Sequence, residues 1–450
     1  MIIIKWLYPG MRVKRWLFMA LAGLVLAALG IDLFTGGKVF SDIAYSVHQL
    51  EKSFIFKSYN IVTGVLVVSM GLVVMIIGLL KAFQSVASVL LPGQEGRVAE
   101  FIYEKRNLRR GPKIVVIGGG TGLSVLLRGL KKYTSNLTAI VTVADDGGSS
   151  GRLRGDLGIL PPGDIRNCLV ALADKEPLME ELLQYRFTTG ELAGHCMGNL
   201  LLAALTGVTG SFDQAVRGLS KVLAVRGRVL PATLSNITLC AELLDGTVVQ
   251  GESSITRCHG KIKRVFTKPQ RCLPLVEALA AIQAADAVVL GPGSLYTSII
   301  PNLLVKGIPE ALARSSAIKI YVCNVMTQPG ETDDYTGSEH LRAIIAHAGK
   351  FLDYVLLNTG QIPARLRVRY RHDGASPVLA DLEKIEEMGV TAVGENLIHE
   401  IDVVRHHPDE LAQVILRLIL PANGPQERVH FLHEHRKNVH DQKLSGVKTH

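Results

Sequence analysis

Glycine-rich segments that directly follow short apolar runs constrain the fold of this chain more than any other feature. The run KIVVI at 113–117 leads into GGGTG at 118–122, and the run at 137–143 leads into ADDGGSSGR at 144–152. A third segment, GPGSLYTS at 291–298, also follows an apolar run. A strand that ends in glycines and opens a helix offers backbone N–H groups and a partial positive charge to a phosphate. The pattern therefore predicts a nucleotide-binding α/β protein.

Strand-like and helix-like segments alternate through most of the chain. The predicted strands are 113–117, 137–143, 287–290, 318–323 and 353–357. Such alternation predicts a doubly wound, Rossmann-like parallel sheet with helices on both faces, and ligands bind beyond the carboxyl ends of its strands. Residues 226–272 instead predict a small antiparallel insertion, because short β-branched runs alternate there with polar residues.

Two apolar stretches precede this region, at 16–34 and 61–80. Each approaches the ~20 residues that a helix needs to cross a bilayer. Basic residues are concentrated before the first stretch and after the second, which predicts cytoplasmic ends and an outside loop at 35–60. A cleaved signal peptide is the alternative for the first stretch, and buried core helices are the alternative for both.

The chain is therefore predicted to have three parts. Residues 1–110 form a multi-pass cell-membrane anchor that ends in a basic linker, with the N-terminus in the cytoplasm. Residues 111–424 form a cytoplasmic nucleotide-binding domain, and residues 425–450 form a flexible polar tail.

Charge and cysteine content exclude two classes of function. The net charge is +9, but residues 1–113 hold 14 Lys and Arg against 6 Asp and Glu, and the remainder holds 35 against 34. The basic excess therefore lies around the anchor, and no nucleic-acid partner is expected. The six cysteines form no CxxC pair, which favours reduced thiols over a structural zinc site.

The first glycine loop is predicted to bind phosphate. Leu123 stands where a dinucleotide fingerprint would have its third glycine, and no Lys-Ser/Thr pair follows as in a Walker A loop. A plain tight turn is the alternative. The predicted binding residues of this loop are Gly118, Gly119, Gly120, Thr121, Gly122 and Ser124.

Three aspartates are predicted to carry chemistry. Asp145 and Asp146 end the second strand, where an acid can bind a ribose hydroxyl or, beside phosphate, Mg²⁺. The alternative is an Asx turn with one acid capping a helix. Asp164, in the turn LPPGDIRN, is a helix cap or a third carboxylate of the site. We predict all three as catalytic, with Asp145 and Asp146 as the metal ligands.

Further donors are predicted around the same edge. The segment 147–154 is predicted to be a flexible loop with two arginines, which suit phosphate. His195 is a candidate general acid or base, or else a cap or core residue. The other predicted binding residues are Gly148, Ser149, Arg152, Arg166, Asn167, Asn199, Gly291, Gly293, Ser294 and Asn324.

Five segments together resemble the CofD-like family, which contains 2-phospholactate transferases and the bacterial gluconeogenesis factors. They are GGGTGLSVLLRGLK, VTVADDGGSSGRLR, LPPGDIRNCLVALA, GPGSLYTSIIPNLL and CNVMTQPGET, within a match from about 113 to 420. DDGGSSGR and PPGDIRN are most similar to the gluconeogenesis-factor branch. The segment from Val403 to His406 also resembles a family segment near the C-terminus. This resemblance implies that Arg405 contacts a nucleotide diphosphate. Members of this branch commonly lack an anchor.

The resemblance implies two alternative functions. The first is a membrane-tethered sensor that binds a UDP-sugar such as UDP-N-acetylglucosamine and maintains cell-wall synthesis and cell shape during gluconeogenic growth. Its partners would be that nucleotide sugar, the membrane, cell-wall synthesis proteins and, in a homo-oligomer, further copies of the chain. The second is a Mg²⁺-dependent phospholactyl transferase acting on a nucleoside diphosphate derivative.

Overall fold

A computed structural model gives the fold and describes residues 13–35, 61–90, 98–174, 177–400 and 404–420. The chain divides into two compact units, Met1–Arg106 and Asn107–His450. The predicted outside loop, beyond Thr35, and the predicted tail at 425–450 lie outside the described residues.

The first unit contains two long apolar helices, α1 (Lys14–Thr35) and α2 (Ile61–Leu90). Segments Lys14–Phe34 and Thr63–Ala87 are long and apolar enough to cross a membrane. Glycines let the two helices pack backbone to backbone: a Cβ on Gly71 would lie 2.4 Å from the Ala27 nitrogen. Close contact through small residues, with large apolar side chains outside, is how helices associate in lipid.

The second unit is built on a seven-stranded parallel sheet, as predicted. The strand order is β10-β9-β8-β7-β1-β2-β3. The chain passes from β1 through β2 to β3 and then returns to β7 on the other side of β1, so the order reverses between β1 and β7. The strands are β1 (Ile114–Gly118), β2 (Leu137–Val141), β3 (Arg228–Pro231), β7 (Ala287–Leu290), β8 (Ile318–Val322), β9 (Tyr354–Asn358) and β10 (Thr391–Glu395).

An antiparallel insertion is present between β3 and β7, but it is shorter than the predicted 226–272, because Arg228–Pro231 pair in parallel with β2 as part of the main sheet. It consists of β4 (Thr238–Leu243), β5 (Val248–Gln250) and β6 (Ile262–Lys268), in the order β5-β4-β6. A short helix, α10 (Glu252–Cys258), lies between β5 and β6. A separate two-stranded hairpin, β11 (Ile398–Glu400) with β12 (Val404–His406), follows β10.

Helices cover both faces of the sheet and connect its strands. They are α3 (Val98–Arg110), α4 (Gly120–Leu130), α5 (Gly148–Leu157), α6 (Gly163–Leu172), α7 (Pro177–Gln184), α8 (Met197–Thr209), α9 (Phe212–Val222), α11 (Val276–Gln283), α12 (Ile300–Leu303), α13 (Ile308–Arg314), α14 (Gly337–Ala348), α15 (Ala364–His372), α16 (Leu382–Glu387) and α17 (Pro408–Ile419). A single π-helical turn, Leu295–Ile299, runs directly into α12. Every residue of β1, β2 and β7 is buried, which is typical of strands covered on both faces.

The prediction of a flexible loop at 147–154 was wrong, because these residues belong to α5. The helix runs from Gly148 to Leu157, and its C-cap residue, Gly158, is left-handed with φ +66°. Gly151 lies against the Asp146 carbonyl, where a Cβ would come within 1.9 Å of the oxygen. Glycines and serines usually indicate a loop, but here they let the helix approach the end of β2.

Helix α17 fixes the position of α4, the helix that follows the first glycine loop. A Cβ on Gly129 of α4 would lie 2.0 Å from the Pro408 carbonyl oxygen at the start of α17. Lys132 and Asp409 form an ion pair at 2.5 Å beside this contact. The glycine loop is therefore held from behind by the C-terminal helix.

We expect Gly129→Ala to lower the free energy of unfolding by about 2 kcal/mol, because a methyl group in this contact forces the helices apart. Gly218→Ala is the matched control, since Gly218 also lies inside a helix but has open space at its Cβ position. That change should instead stabilise the chain by about 0.5–1 kcal/mol. Guanidinium denaturation followed by far-ultraviolet circular dichroism measures both, and equal effects would contradict the described packing.

Candidate functional site

A cavity of about 540 Å³ opens at the carboxyl edge of the sheet, where β1 and β7 lie side by side. Its wall is formed by the first and third glycine segments, the residues after β2, the insertion and the segment after β8. The lining residues are Gly120, Thr121, Gly122, Val125, Thr142, Asp145, Asp164, Glu252, Pro292, Gly293, Ser294, Thr297, Ser298, Asn324, Val325, Met326, Thr327, Gln328, Pro329, Tyr370, Asp373, Ala375 and His406.

The first and third glycine segments touch through their backbones. A Cβ on Gly122 would lie 2.4 Å from the Pro292 carbonyl oxygen, so only glycine fits there. Helix α4 begins at Gly120, which is left-handed with φ +70°, and no side chain of its N-cap residue caps it. The first N–H groups of a helix have no partners within the helix. The Gly120 N–H donates to Asp164, so the N–H groups of Thr121 and Gly122 are the donors that this turn offers to the cavity.

Asn324 holds the third glycine segment in place. The Gly293 N–H donates to Asn324 Oδ1 at 3.0 Å, and Asn324 Nδ2 donates to the Gly293 carbonyl at 2.8 Å. Because both polar atoms of the amide bond to the backbone of one residue, Gly293, Asn324 positions the loop rather than standing free for a ligand. It follows β8 directly, so the sheet fixes its location.

Two of the three predicted catalytic aspartates lie in the cavity wall. Asp164 lies in the first turn of α6 and accepts a hydrogen bond from the Gly120 N–H. Burial raises the pKa of Asp164 to about 6, against the opposing effect of that bond. Asp145 accepts the Gly147 N–H at 2.9 Å, which is the Asx turn considered above as an alternative.

Asp146 instead fastens the insertion to the sheet. Its Oδ1 accepts the Ser253 N–H at 2.9 Å, at the start of α10. This contact brings the neighbouring Glu252 into the cavity wall. Burial, followed by the charges of Asp145 and Glu331, raises the pKa of Glu252 to about 7. The two adjacent aspartates therefore have different roles.

Glu331 joins three segments beneath this wall. Its Oε1 accepts hydrogen bonds from Thr297 Oγ1 at 2.9 Å and from Thr256 Oγ1 at 3.2 Å. The residue is only 4% exposed, and this burial raises the pKa of its carboxyl to about 7. Glu331 therefore ties the segment after β8 to the π-helical turn and to α10.

The predicted metal ligands do not form a protein-only metal site. Among the described residues, no group of three or more His, Cys, Asp or Glu side chains is arranged to hold an ion. Mg²⁺, however, commonly takes only one or two carboxylates and completes its shell with phosphate oxygens and water. Asp145 and Asp164 in the cavity wall fit that limited role, whereas Asp146 Oδ1 is occupied by the insertion.

Several predicted binding residues form a separate polar cluster around α5, α6 and α8. Ser149 Oγ accepts hydrogen bonds from the Cys196 N–H and Asn199 Nδ2 and contacts His195 Nδ1. Arg166 donates to Asn199 and Asn167, and Arg152 donates to the Ala193 carbonyl. None of the residues in this cluster lines the cavity.

The remaining predicted binding residues lie at or behind the cavity. Gly120, Thr121, Gly122, Gly293, Ser294 and Asn324 line it, as stated above. Gly118, Gly119, Ser124, Gly148 and Gly291 do not. The Gly118 carbonyl accepts from Asn302, and Gly291 packs against Leu123. Arg405 lies in β12, and its side chain lies outside the described part of the chain.

Four functional candidates were missed from the sequence: Glu252, Glu331, Tyr370 and His406. Glu252 comes from the insertion and Tyr370 from a basic helix, so neither follows a strand of the main sheet. Glu331 falls in CNVMTQPGET, one of the segments that carry the family resemblance, but only Asn324 was selected from it. His406 gave no signal beyond the resemblance that pointed to its neighbour.

The fold and cavity define a doubly wound α/β protein with a cavity built on glycine loops at the sheet's carboxyl edge. Residues 114–398 match the family described as 2-phospho-L-lactate transferase CofD. The match covers more than half of the chain, which therefore belongs to the CofD family.

Proteins named gluconeogenesis factor are similar to this chain. The Bacillus subtilis protein is 51% identical over 68% of this chain and 98% of its own length. A relative from Nostoc sp. with the same factor name is 49% identical over 92% of both chains. That share exceeds the second unit alone, so the Nostoc likeness extends into the first unit. A crystal structure from Bacillus halodurans superposes with a TM-score of 0.67 at 53% identity, covering 68% of this chain and 99% of that one.

The buried Glu331 should make stability depend on pH. Because its folded-state pKa is about 7 and its ordinary value is 4.5, the folded chain binds the extra proton between these pH values. The free energy of unfolding should therefore fall by on the order of 3 kcal/mol as the pH rises through this window.

The substitution Glu331→Gln should remove the part of this pH-dependent loss of stability that Glu331 causes. Guanidinium midpoints measured from pH 4.5 to pH 8 test this. Glu277→Gln is the control, because the exposed Glu277 carboxyl has a pKa lowered by its hydrogen bond with Arg217. It titrates below this window and should leave the profile unchanged. An identical pH profile for wild type and Glu331→Gln would show that Glu331 is ionised throughout.

Proposed function

We propose that this chain is a gluconeogenesis factor that binds a UDP-sugar, such as UDP-N-acetylglucosamine, in the cavity at the carboxyl edge. Its role is to regulate cell-wall synthesis and cell shape during gluconeogenic growth. The observation that carries the proposal is the contact between two glycine segments, which places the start of α4 and the Gly293-Ser294 turn in one cavity wall. Similarity to proteins named gluconeogenesis factor supports the cellular role.

The composition of the wall supports a ligand with two chemically different halves. The backbone N–H groups of Thr121 and Gly122 suit a diphosphate. Val325, Met326, Pro329 and Tyr370 supply apolar and aromatic surface, which suits a base or the apolar face of a sugar. The cavity volume of about 540 Å³ lies within the range of about 300–1,000 Å³ that is typical of ligand pockets.

Carboxylates beside the phosphate cradle support a Mg²⁺ ion as part of the bound complex. Asp145, Asp164 and Glu252 all line the cavity, and an ionised diphosphate would be repelled by them. A divalent cation between the carboxylates and the phosphates removes that repulsion. Asp145 and Asp164 would hold it, and its chemical contribution would be to neutralise phosphate charge.

The two apolar helices support a cell-membrane location, with the second unit in the cytoplasm. Wall precursors and wall synthases are found at that membrane, so a tethered sensor would lie close to the proteins that it regulates. We include cell-wall synthesis proteins, and further copies of this chain, among its proposed partners.

The second candidate function is a Mg²⁺-dependent phospholactyl transferase. Membership of the CofD family favours it, because that family is described by a 2-phospho-L-lactate transferase. In this alternative the same carboxylates and cation would stabilise charge on a diphosphate under attack. Turnover of a guanosine diphospho-acid with a deazaflavin, abolished by Asp145→Asn, would support the transferase over the sensor.

Binding of UDP-N-acetylglucosamine to the purified full chain, measured by calorimetry with and without Mg²⁺, tests the proposed function. We expect Asn324→Ala to weaken binding at least about tenfold, since the Gly293 turn loses both hydrogen bonds that hold it. Asn136→Ala is the matched control. Asn136 also donates to two backbone carbonyls, those of Arg109 and Gly111, but it precedes β2 at the opposite edge.

The control should bind as tightly as the wild type. A wild-type chain that binds no UDP-sugar but binds guanosine diphosphate with a deazaflavin would reject the sensor. Equal losses in both asparagine variants would mean that the effect arises from general destabilisation.

Cysteine labelling tests the proposed orientation. Cys258 is exposed, and the other five cysteines are buried. In intact cells, an impermeant maleimide should label a cysteine introduced by Ser46→Cys but leave Cys258 unlabelled until the membrane is permeabilised. The wild-type chain, which lacks the introduced cysteine, is the control. Labelling of Cys258 in intact cells would place the second unit outside.

A further inference from the structure

His406 lies in the cavity wall with one imidazole nitrogen unsatisfied. The residue is 6% exposed, and its Nε2 has no hydrogen-bond partner among the residues that the structure describes. A buried polar atom without a partner is uncommon and often marks a group that a ligand completes. None of the sequence motifs selected this residue.

The other ring nitrogen determines the protonation state. The His406 ring is hydrogen-bonded to the Cys323 carbonyl, and since Nε2 has no partner we assign this bond to Nδ1. Nδ1 therefore carries the proton, and Nε2 of the neutral ring can only accept. Burial lowers the pKa of His406 to about 4, so the ring stays neutral at physiological pH.

The backbone around His406 links it to the glycine loop. His406 pairs with Ile398 in the hairpin, and the His407 N–H donates to the Leu397 carbonyl at 2.8 Å. Helix α17 starts at the next residue, Pro408, and packs directly against Gly129 of α4. The phosphate cradle and the His406 acceptor are thus held by the same pair of helices, at a separation that cannot vary freely.

His340 shows why the cavity matters. Its Nδ1 is also bonded to a backbone carbonyl, that of Thr336, and its Nε2 also lacks a partner among the described residues. His340 is completely buried and does not line the cavity. An unpartnered nitrogen alone therefore does not indicate a ligand, and His406 differs from His340 in that its residue lines the cavity.

We propose that His406 Nε2 accepts a hydrogen bond from a neutral N–H or O–H donor in the nucleoside or sugar part of the ligand. This inference rests on the proposed function and deepens it. An ionised phosphate carries no donor, so His406 selects for what lies beyond the phosphates. It is a specificity-determining residue of the same site.

Calorimetric titrations of the full chain with inorganic pyrophosphate, UDP and UDP-N-acetylglucosamine test the proposal. His406→Leu should weaken UDP-N-acetylglucosamine binding about tenfold, because a ligand donor loses its acceptor. Pyrophosphate affinity should not change. His406→Gln should stay within about threefold of wild type, because its side-chain oxygen can accept in place of Nε2. His340→Leu, the matched control, should leave all three affinities unchanged.

The three ligands also locate the donor. An equal loss with UDP and UDP-N-acetylglucosamine places it in the uridine, and a loss with UDP-N-acetylglucosamine alone places it in the sugar. Unchanged affinities in His406→Leu, or a parallel loss of pyrophosphate binding, would overturn the inference while leaving the proposed function intact. A wild-type chain that binds neither uridine nucleotide would reject both.

Discussion

The parallel pairing of β1 with β2 on one side and β7 on the other is the interaction on which the site depends. Ile114 pairs with Leu137 and with Ala287, so all three strands end at nearly the same level. Their following turns then meet at one edge, and the first and third turns approach so closely that Gly122 and Pro292 touch through backbone atoms. A side chain at Gly122 would separate them. The proposed phosphate cradle is therefore made of main chain, which the sheet register aligns and which Asn324 and helix α17 hold in place.

Acidic side chains impose the second constraint. Asp146 and Glu331 fasten the insertion helix from two different loops, and that attachment carries Glu252 into the cavity. Burial raises the pKa values of Glu252, Glu331 and Asp164, and repulsion from neighbouring carboxylates adds to the rise for Glu252 and Asp164. The wall thus combines backbone donors that attract an anion with carboxylates that repel one. A ligand that brings a cation, or that presents neutral donors to these acids, satisfies both demands.

The sequence predicted buried strands better than partly exposed ones. The strands of the sheet centre were found because burial on both faces gives uninterrupted apolar runs. Strands β3 and β10 were missed since edge strands lack such runs; β10 reads Thr-Ala-Val-Gly-Glu and is partly exposed. Helix α5 was missed because its glycines and serines, chosen for close packing, resemble a loop. For the site, residues next to the strand ends were found, whereas Glu252, Tyr370 and His406 come from elements far along the chain.

The sequence by itself determined the parallel α/β class, the glycine turns, the two apolar helices and membership of the CofD family, because strand patterning, turn chemistry and motif order are local properties. Only the tertiary structure decided which polar residues face the cavity. It assigned Asp145 to the cavity and Asp146 to the insertion, although the two are adjacent, and it joined Ser149, Arg166 and Asn199 to one another instead. The physical reason is that a polar side chain bonds to whichever partner packing brings within reach, and that partner is set by contacts between distant segments.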